Sequence, residues 1–194
     1  MKRRSIGIFA GSFNPIHVGH LILANYMKEF TYLDEVWFVV TPQNPLKDPA
    51  GLLDDKVRLE MVRIAVKDLE GIGVSDIEFR LPRPSYTVDT LAALEKENPE
   101  DEFSLIMGAD NWHLFTRWKA YDSILQKHKI LIYPRGGKQV IIPTELEKSV
   151  TVVNAPLVEI SSTFIRESIA NGKNMQAFLP HGLPQFIKTH KLYQ

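Results

Sequence analysis

The chain has 194 residues, 44% of them apolar, with 23 basic and 23 acidic side chains and no cysteine. That is enough for one domain with a real core, and it excludes disulfides and thiolate metal sites. The zero formal charge gives no basic excess of the kind a nucleic-acid binder carries, and no segment approaches the roughly 20 apolar residues of a membrane span.

The basic start, Met1-Lys2-Arg3-Arg4, precedes an apolar run too short for a signal peptide. A cytoplasmic location without nucleic-acid or membrane partners is therefore expected. Ile6 to Phe9 reads as a strand, and His17 to Phe30 as a helix. Between them lies Gly11-Ser12-Phe13-Asn14-Pro15-Ile16, a turn. Glu35 to Val40 is a continuous apolar run, as in a buried parallel strand. Thr41 to Pro49 holds three prolines and is a loop. Asp54 or Asp55 caps a helix carrying Val57, Met61, Ile64, Ala65 and Leu69, stopped by Gly71. Val74 to Phe79 is strand-like. Ser85 to Thr90 opens a helix with Leu91 and Leu94 that ends before Pro99. Phe103 to Met107 is a strand running into Gly108-Ala109-Asp110, followed by a helical region with Trp112, Phe115 and Trp118. Ile130 to Tyr133 and Val150 to Val153 are further strands, the first closed by Pro134-Arg135-Gly136-Gly137. Ser161 to Asn171 is a helix ending at Gly172, and Leu183 to Tyr193 is a short helix with proline in its first turn.

This alternation predicts an α/β fold: a Rossmann-like, doubly wound parallel sheet with helices on both faces. It forms a single domain over 1–194, with a small C-terminal helical segment from about 160. In such sheets ligands sit beyond the carboxyl ends of the strands, where the strand order reverses. The turn after the first strand is the usual place.

That turn leads to His17-Val18-Gly19-His20. A helix start offers unpaired N–H groups and a positive dipole end. Two imidazoles three residues apart share that face. Phosphate contact is one reading. One capping and one packed histidine is another, and half of a metal site a third. The third is disfavoured, because the familiar helical zinc pair is four apart with Glu beside the first His. Gly11 and Gly19 fit close backbone approach. Neither a dinucleotide fingerprint nor a P-loop is present.

A second constellation is Ser161-Ser162-Thr163 ahead of Arg166. The hydroxyls suit an N-cap. A cation in the first turn opposes the helix dipole, which makes sense if an anion sits there. An Arg swung out to solvent, or paired with Glu159 or Glu167, is the alternative. Lys47 lies in the proline-rich loop at a strand's carboxyl end, where it is a surface lysine or a phosphate contact. Asp110 caps a helix, bonds a ribose hydroxyl or helps hold Mg²⁺. Trp112 and Trp118 are core residues or a stacking platform. Thr87 caps a helix or reads a polar ring substituent. His113, His128, His181 and His190 belong to no constellation.

Gly11 to His20 resembles the G-x-F-x-P-x-H-x-G-H signature of the nucleotidyltransferase superfamily, and Ile160 to Arg166 its I-S-S-T-x-x-R signature. Ser85 to Leu91, Gly108-Ala109-Asp110 with Trp118, and Leu183 to Tyr193 are similar to segments of the bacterial nicotinate mononucleotide adenylyltransferases. Many members have G-T-F-D-P where this chain has Ser12 and Asn14, and P-P-H-K where it has Pro45-Leu46-Lys47.

The resemblance implies transfer of AMP from ATP to nicotinate mononucleotide with release of pyrophosphate, with Mg²⁺ accompanying ATP, as a step of NAD biosynthesis. It implies direct in-line attack without a covalent intermediate. The acceptor phosphate is already anionic, so no strong general base is needed, and alignment plus charge stabilisation carries the reaction. By the same resemblance His17, His20, Lys47 and Arg166 are catalytic, and Gly11, Ser12, Phe13, Gly19, Gly108, Asp110, Ser161, Ser162 and Thr163 bind ATP. Ser12, Lys47, Thr87, Asp110 and Trp118 bind the mononucleotide, and the C-terminal segment completes the ATP site. No protein side chain is assigned to metal. A pantetheine-phosphate adenylyltransferase, another nucleotidyltransferase or a silent nucleotide sensor is the alternative.

Overall fold

A computed structural model describes residues 3–43, 51–137 and 139–194. Six strands form one sheet: β1 (Ser5–Gly11), β2 (Glu35–Val40), β3 (Ile72–Ser75), β4 (Glu102–Gly108), β5 (Lys129–Tyr133) and β6 (Val150–Val152). Their order is β3-β2-β1-β4-β5-β6, and every pairing is parallel. Among the described residues the α-helices are α1 (Val18–Phe30), α2 (Asp55–Val66), α3 (Thr87–Glu97), α4 (Ala109–Trp112), α5 (Tyr121–Lys127), α6 (Ser162–Ala170) and α7 (Leu183–Thr189).

Strand alternation divides the core in two. Phe9, Val36, Phe38, Val40, Ile106, Leu131 and Tyr133 face the layer that holds Leu23 and Met27 of α1, Leu59 and Val62 of α2, and Leu183 and Ile187 of α7. Ile6, Ile8, Val39, Phe103, Leu105, Met107, Ile130 and Ile132 face Leu91 and Leu94 of α3 and Ile124 of α5. Successive strand side chains point to opposite faces, so these doubly apolar strands need helices on both sides. The expected doubly wound architecture is what the chain adopts.

Several boundaries differ from the sequence reading. The strand expected over Val74 to Phe79 ends at Ser75, and Ile77–Arg80 is a 3₁₀ turn. The Ser75 hydroxyl accepts the Ile77 N–H at 3.2 Å and turns the chain there. That turn directs Ile77 and Glu78 inward, both about 2% exposed. The helical region after β4 is three pieces: α4, a 3₁₀ turn over Phe115–Arg117, and α5. Ala120 breaks it with φ +51°.

Strand order reverses between β1 and β4. The chain leaves β1 for β2 on one side, and β4 continues outward on the other. The carboxyl ends Gly11 and Gly108 therefore open on one crevice, which is where ligands lodge in sheets of this kind.

Candidate active site

A cavity of about 820 Å³ fills that crevice, lined by residues from β1 to α6. Its floor is the β1–α1 turn: Gly11, Ser12, Phe13 and Asn14, then His17 and His20. Phe13 has φ +45°, a left-handed conformation that costs a non-glycine residue energy. Packing holds it there. Its ring meets Phe9, Phe38 and His20 edge-on, with centroids at 6.2, 5.2 and 5.1 Å.

His17 is the N-cap of α1, and His20 is its third residue. The His17 N–H donates to His20 Nδ1 at 3.2 Å. This is half of a capping box, with imidazole where Glu or Gln is usual. With Nδ1 accepting, a neutral His20 ring carries its proton on Nε2. The two rings stack at 3.7 Å. His17 is 3% exposed, and burial, helped by the Arg135 charge, pushes its pKa down to about 4. It is therefore neutral near pH 7, and serves as a neutral hydrogen-bonding group rather than a cation. Its buried Nδ1 has no partner among the described residues.

The second wall is the start of α6. Ser161 caps it, accepting the Phe164 N–H at 3.1 Å. Ser162 Oγ donates to the Pro15 carbonyl at 2.8 Å, and Arg166 Nη1 to the Asn14 carbonyl at 2.9 Å. Arg166 Nη2 lies 3.3 Å from Thr163 Oγ1. Arg166 thus binds neither Glu159 nor Glu167 among the described residues. It crosses to the first turn, leaving further N–H donors on its fork. Ser161, Ser162, Thr163 and Arg166 all line the cavity. Tyr193 near the C-terminus donates to Asn14 Oδ1 at 2.9 Å, so the last helical segment also grips this turn. Both helix starts face one space, and their dipoles favour an anion between them.

The end of β4 supplies Asp110. A Cβ on Gly108 would strike Asp110 Oδ1, so glycine makes room for that carboxylate. Oδ1 is buried without a partner among the described residues, and Oδ2 lies 3.7 Å from Arg135 Nε. Gly108 itself caps α4, so the capping role considered for Asp110 falls away. Gly108 and Gly19 stand behind the cavity wall rather than in it. A Cβ on Gly19 would press on the His17 ring and on Val158, each at 3.0 Å.

The far end of the cavity is bounded by Thr41, Glu78, Ser85, Tyr86, Thr87 and Trp118. Thr87 is the first residue of α3 rather than its cap. Tyr86 is the cap, and no side chain closes that start. Trp118 lines the cavity with its buried Nε1 unpartnered among the described residues. Trp112 does not line it and stacks on Phe115 at 5.5 Å, a ring that Trp118 also meets edge-on at 5.4 Å. Lys47 lies outside the described residues.

Among the wall residues with no motif to mark them are Glu78, His113, Arg117, Lys119 and Arg135. Lys119 bridges to Asp89 Oδ2 at 2.9 Å and covers the Tyr86 ring at 4.6 Å. Arg58 stands behind the cavity, 1% exposed. Its guanidinium donates to the carbonyls of Ser12 at 2.7 Å, Thr41 at 2.8 Å, Leu53 at 3.0 Å and Pro42 at 3.1 Å. It ties the end of β2 to the β1–α1 turn. Its sequence signal is weak, a charge inside an apolar helical period. Among the described residues no three His, Asp or Glu converge as metal ligands.

Residues 8–168 match the family described as cytidylyltransferase-like. A Bacteroides fragilis protein named probable nicotinate-nucleotide adenylyltransferase is 53% identical, over 92% of this chain and 89% of its own length. A Flavobacterium johnsoniae protein of the same name is 50% identical over 97% and 98%. The fold is similar to that of the Plasmodium falciparum nicotinic acid mononucleotide adenylyltransferase solved as a complex with NaAD. The TM-score is 0.80 at 21% identity, covering 98% of each chain.

Proposed function

The chain belongs to the cytidylyltransferase-like family, in its nicotinate-nucleotide adenylyltransferase branch, and we propose that it moves the AMP of ATP onto nicotinate mononucleotide, releasing pyrophosphate. The observation that carries this reading is the pair of cross-tied helix starts, α1 and α6, facing one cavity with His20 and Arg166 in its wall. That geometry suits a polyphosphate held between two anion sites.

A phosphate oxygen of the mononucleotide attacks the α-phosphorus of ATP. The new P–O bond forms as the bond to the pyrophosphate oxygen breaks. No proton has to be removed from the nucleophile, so positioning and charge stabilisation account for the rate. In this reading His20 presents Nε2–H to the α-phosphate, and neutral His17 hydrogen-bonds beside it. Ser161, Ser162, Thr163 and Arg166 hold the β- and γ-phosphates, and the C-terminal segment thereby completes the ATP site. Gly11 and Phe13 shape the turn beneath. Ser12 contacts the mononucleotide phosphate, and Lys47 is assigned there by its place in the family motif alone. Asp110, with a free buried oxygen, bonds ribose. Trp118 stacks on the pyridine ring, and the uncapped α3 start at Thr87 meets its carboxylate.

Arg135 adds a charge that His17 cannot, since the latter is neutral near pH 7. Magnesium fits as a companion of ATP rather than a resident. Mg²⁺ keeps few protein ligands and prefers phosphate oxygens and water, and no three-ligand cluster exists among the described residues. Bound so, it neutralises charge on the phosphates. Among the described residues no helix is long and apolar enough to cross a membrane.

Pyrophosphate release with ATP and a panel of acceptors tests the reading. Release is expected with nicotinate mononucleotide, and release with phosphopantetheine instead would overturn it.

A further inference from the structure

The reaction as drawn leaves Glu78, a buried ionisable group, without a task. Glu78 is 2% exposed, yet it lines the cavity at its pyridine end. One carboxyl oxygen accepts the Thr90 hydroxyl at 2.8 Å. That same hydroxyl lies 3.2 Å from the Tyr86 carbonyl, so Glu78 is one bond removed from the cap of α3. The other oxygen faces the hydroxyls of Ser85 and Thr41, though neither it nor the buried Ser85 Oγ makes a hydrogen bond of ordinary geometry among the described residues. The Ser85 N–H donates to the Gln43 carbonyl at 3.2 Å, fixing the turn to the end of β2. A carboxyl buried in the cavity wall and met only by hydroxyls calls for an explanation.

We propose that Glu78 is a positioning residue for the acceptor, holding the turn over residues 85–87 and the start of α3 so that they favour a pyridine carboxylate over the corresponding amide. The inference rests on the reading of the cavity as a pyridine mononucleotide site. Among the described residues no side chain caps the α3 start, and Asp89 N–H is taken by the Tyr86 carbonyl at 3.0 Å, so an anion would meet the N–H groups ahead of Asp89 and the helix dipole. An ionised carboxylate beside that start would cancel its attraction for a second carboxylate. Burial works against that, pushing the Glu78 carboxyl above the ordinary carboxylate range, while the hydroxyls of Thr90, Ser85 and Thr41 pull the other way. A carboxyl shifted toward its neutral form repels the substrate less while it braces the turn, as a buried acid can when its site is apolar.

The test is the ratio of kcat/KM for nicotinate mononucleotide to that for nicotinamide mononucleotide, measured at fixed ATP for the wild type, Glu78→Ala, Glu78→Gln and Thr90→Val. In Glu78→Ala the ratio should fall by about tenfold, the scale of weakening one hydrogen bond to a charged group. The loss should appear in the KM for the mononucleotide and not in the KM for ATP. Glu78→Gln keeps an acceptor for Thr90 and should stay within about threefold of wild type, since the bond that braces the turn is kept. Thr90→Val removes the link without opening a cavity and should move the ratio in the same direction, which decides the matter if Glu78→Ala does not fold. An unchanged ratio in Thr90→Val and in folded Glu78→Ala would overturn the inference alone, as would a Gln variant as impaired as Ala. A wild type inactive with both mononucleotides would overturn the functional reading and this inference with it.

Discussion

Acidification should strip stability from this protein through His17 in a window set by its burial. The imidazole titrates near 6.5 when exposed and at about 4 in the folded chain, because burial, and then the Arg135 charge, disfavour its cation. Between those values the unfolded chain binds a proton that the folded one refuses. Stability attributable to His17 is therefore whole above pH 6.5, falls as pH drops, and reaches its floor below pH 4. The full interval is worth about 3 kcal/mol at about 1.4 kcal/mol per pH unit, and about 2 kcal/mol of it is gone by pH 5. Carboxylates titrate over part of the same range, so the comparison is with His17→Asn, which keeps a polar neutral side chain there. Urea unfolding of both proteins at pH 7.5, 6.5, 5.5 and 5 gives two stability curves. The wild-type curve should fall faster by about 2 kcal/mol at pH 5. Parallel curves would refute the claim that His17 is held neutral by its surroundings.

Two further outcomes follow from the same geometry. His20→Ala should cut turnover by a few orders of magnitude, because a pre-placed donor at developing charge is worth roughly 3–4 kcal/mol, while the melting temperature falls by only a few degrees with the lost capping bond to the His17 N–H; steady-state kinetics and a thermal melt check it. Arg135→Ala should raise the KM for ATP and raise the pKa of His17 above about 4, since removing the nearby cation relieves part of its suppression. The imidazole proton resonances followed against pH report the second effect, and an unmoved titration would deny that Arg135 acts on this ring.

Much of this architecture is written in local pattern. The run at Val36 to Val40, and that at Phe103 to Met107 with Ser104 inside it, read as strands, and the sheet buries them on both faces. The His17 and His20 spacing also held a structural message, since three residues is the capping-box interval, and the backbone of one histidine does bond the ring of the other. What stayed hidden depends on groups brought together from afar. Arg58 looks like an ordinary helical charge until the carbonyls of Ser12, Thr41, Pro42 and Leu53 close around it. Glu78 sits in what reads as a strand, and only the Ser75 turn sends it inward. Arg135 follows a strand in a glycine-rich loop, and its approach to Asp110 exists only because β4 and β5 pair in register at Gly108 and Tyr133.

The most direct measurement follows the α-phosphorus. The purified protein is given ATP labelled in the α-phosphate, nicotinate mononucleotide and Mg²⁺, and the products are separated. The account predicts label in nicotinate adenine dinucleotide and none in the released pyrophosphate. Label that stays in ATP, or that appears only in free AMP without a dinucleotide, would contradict it.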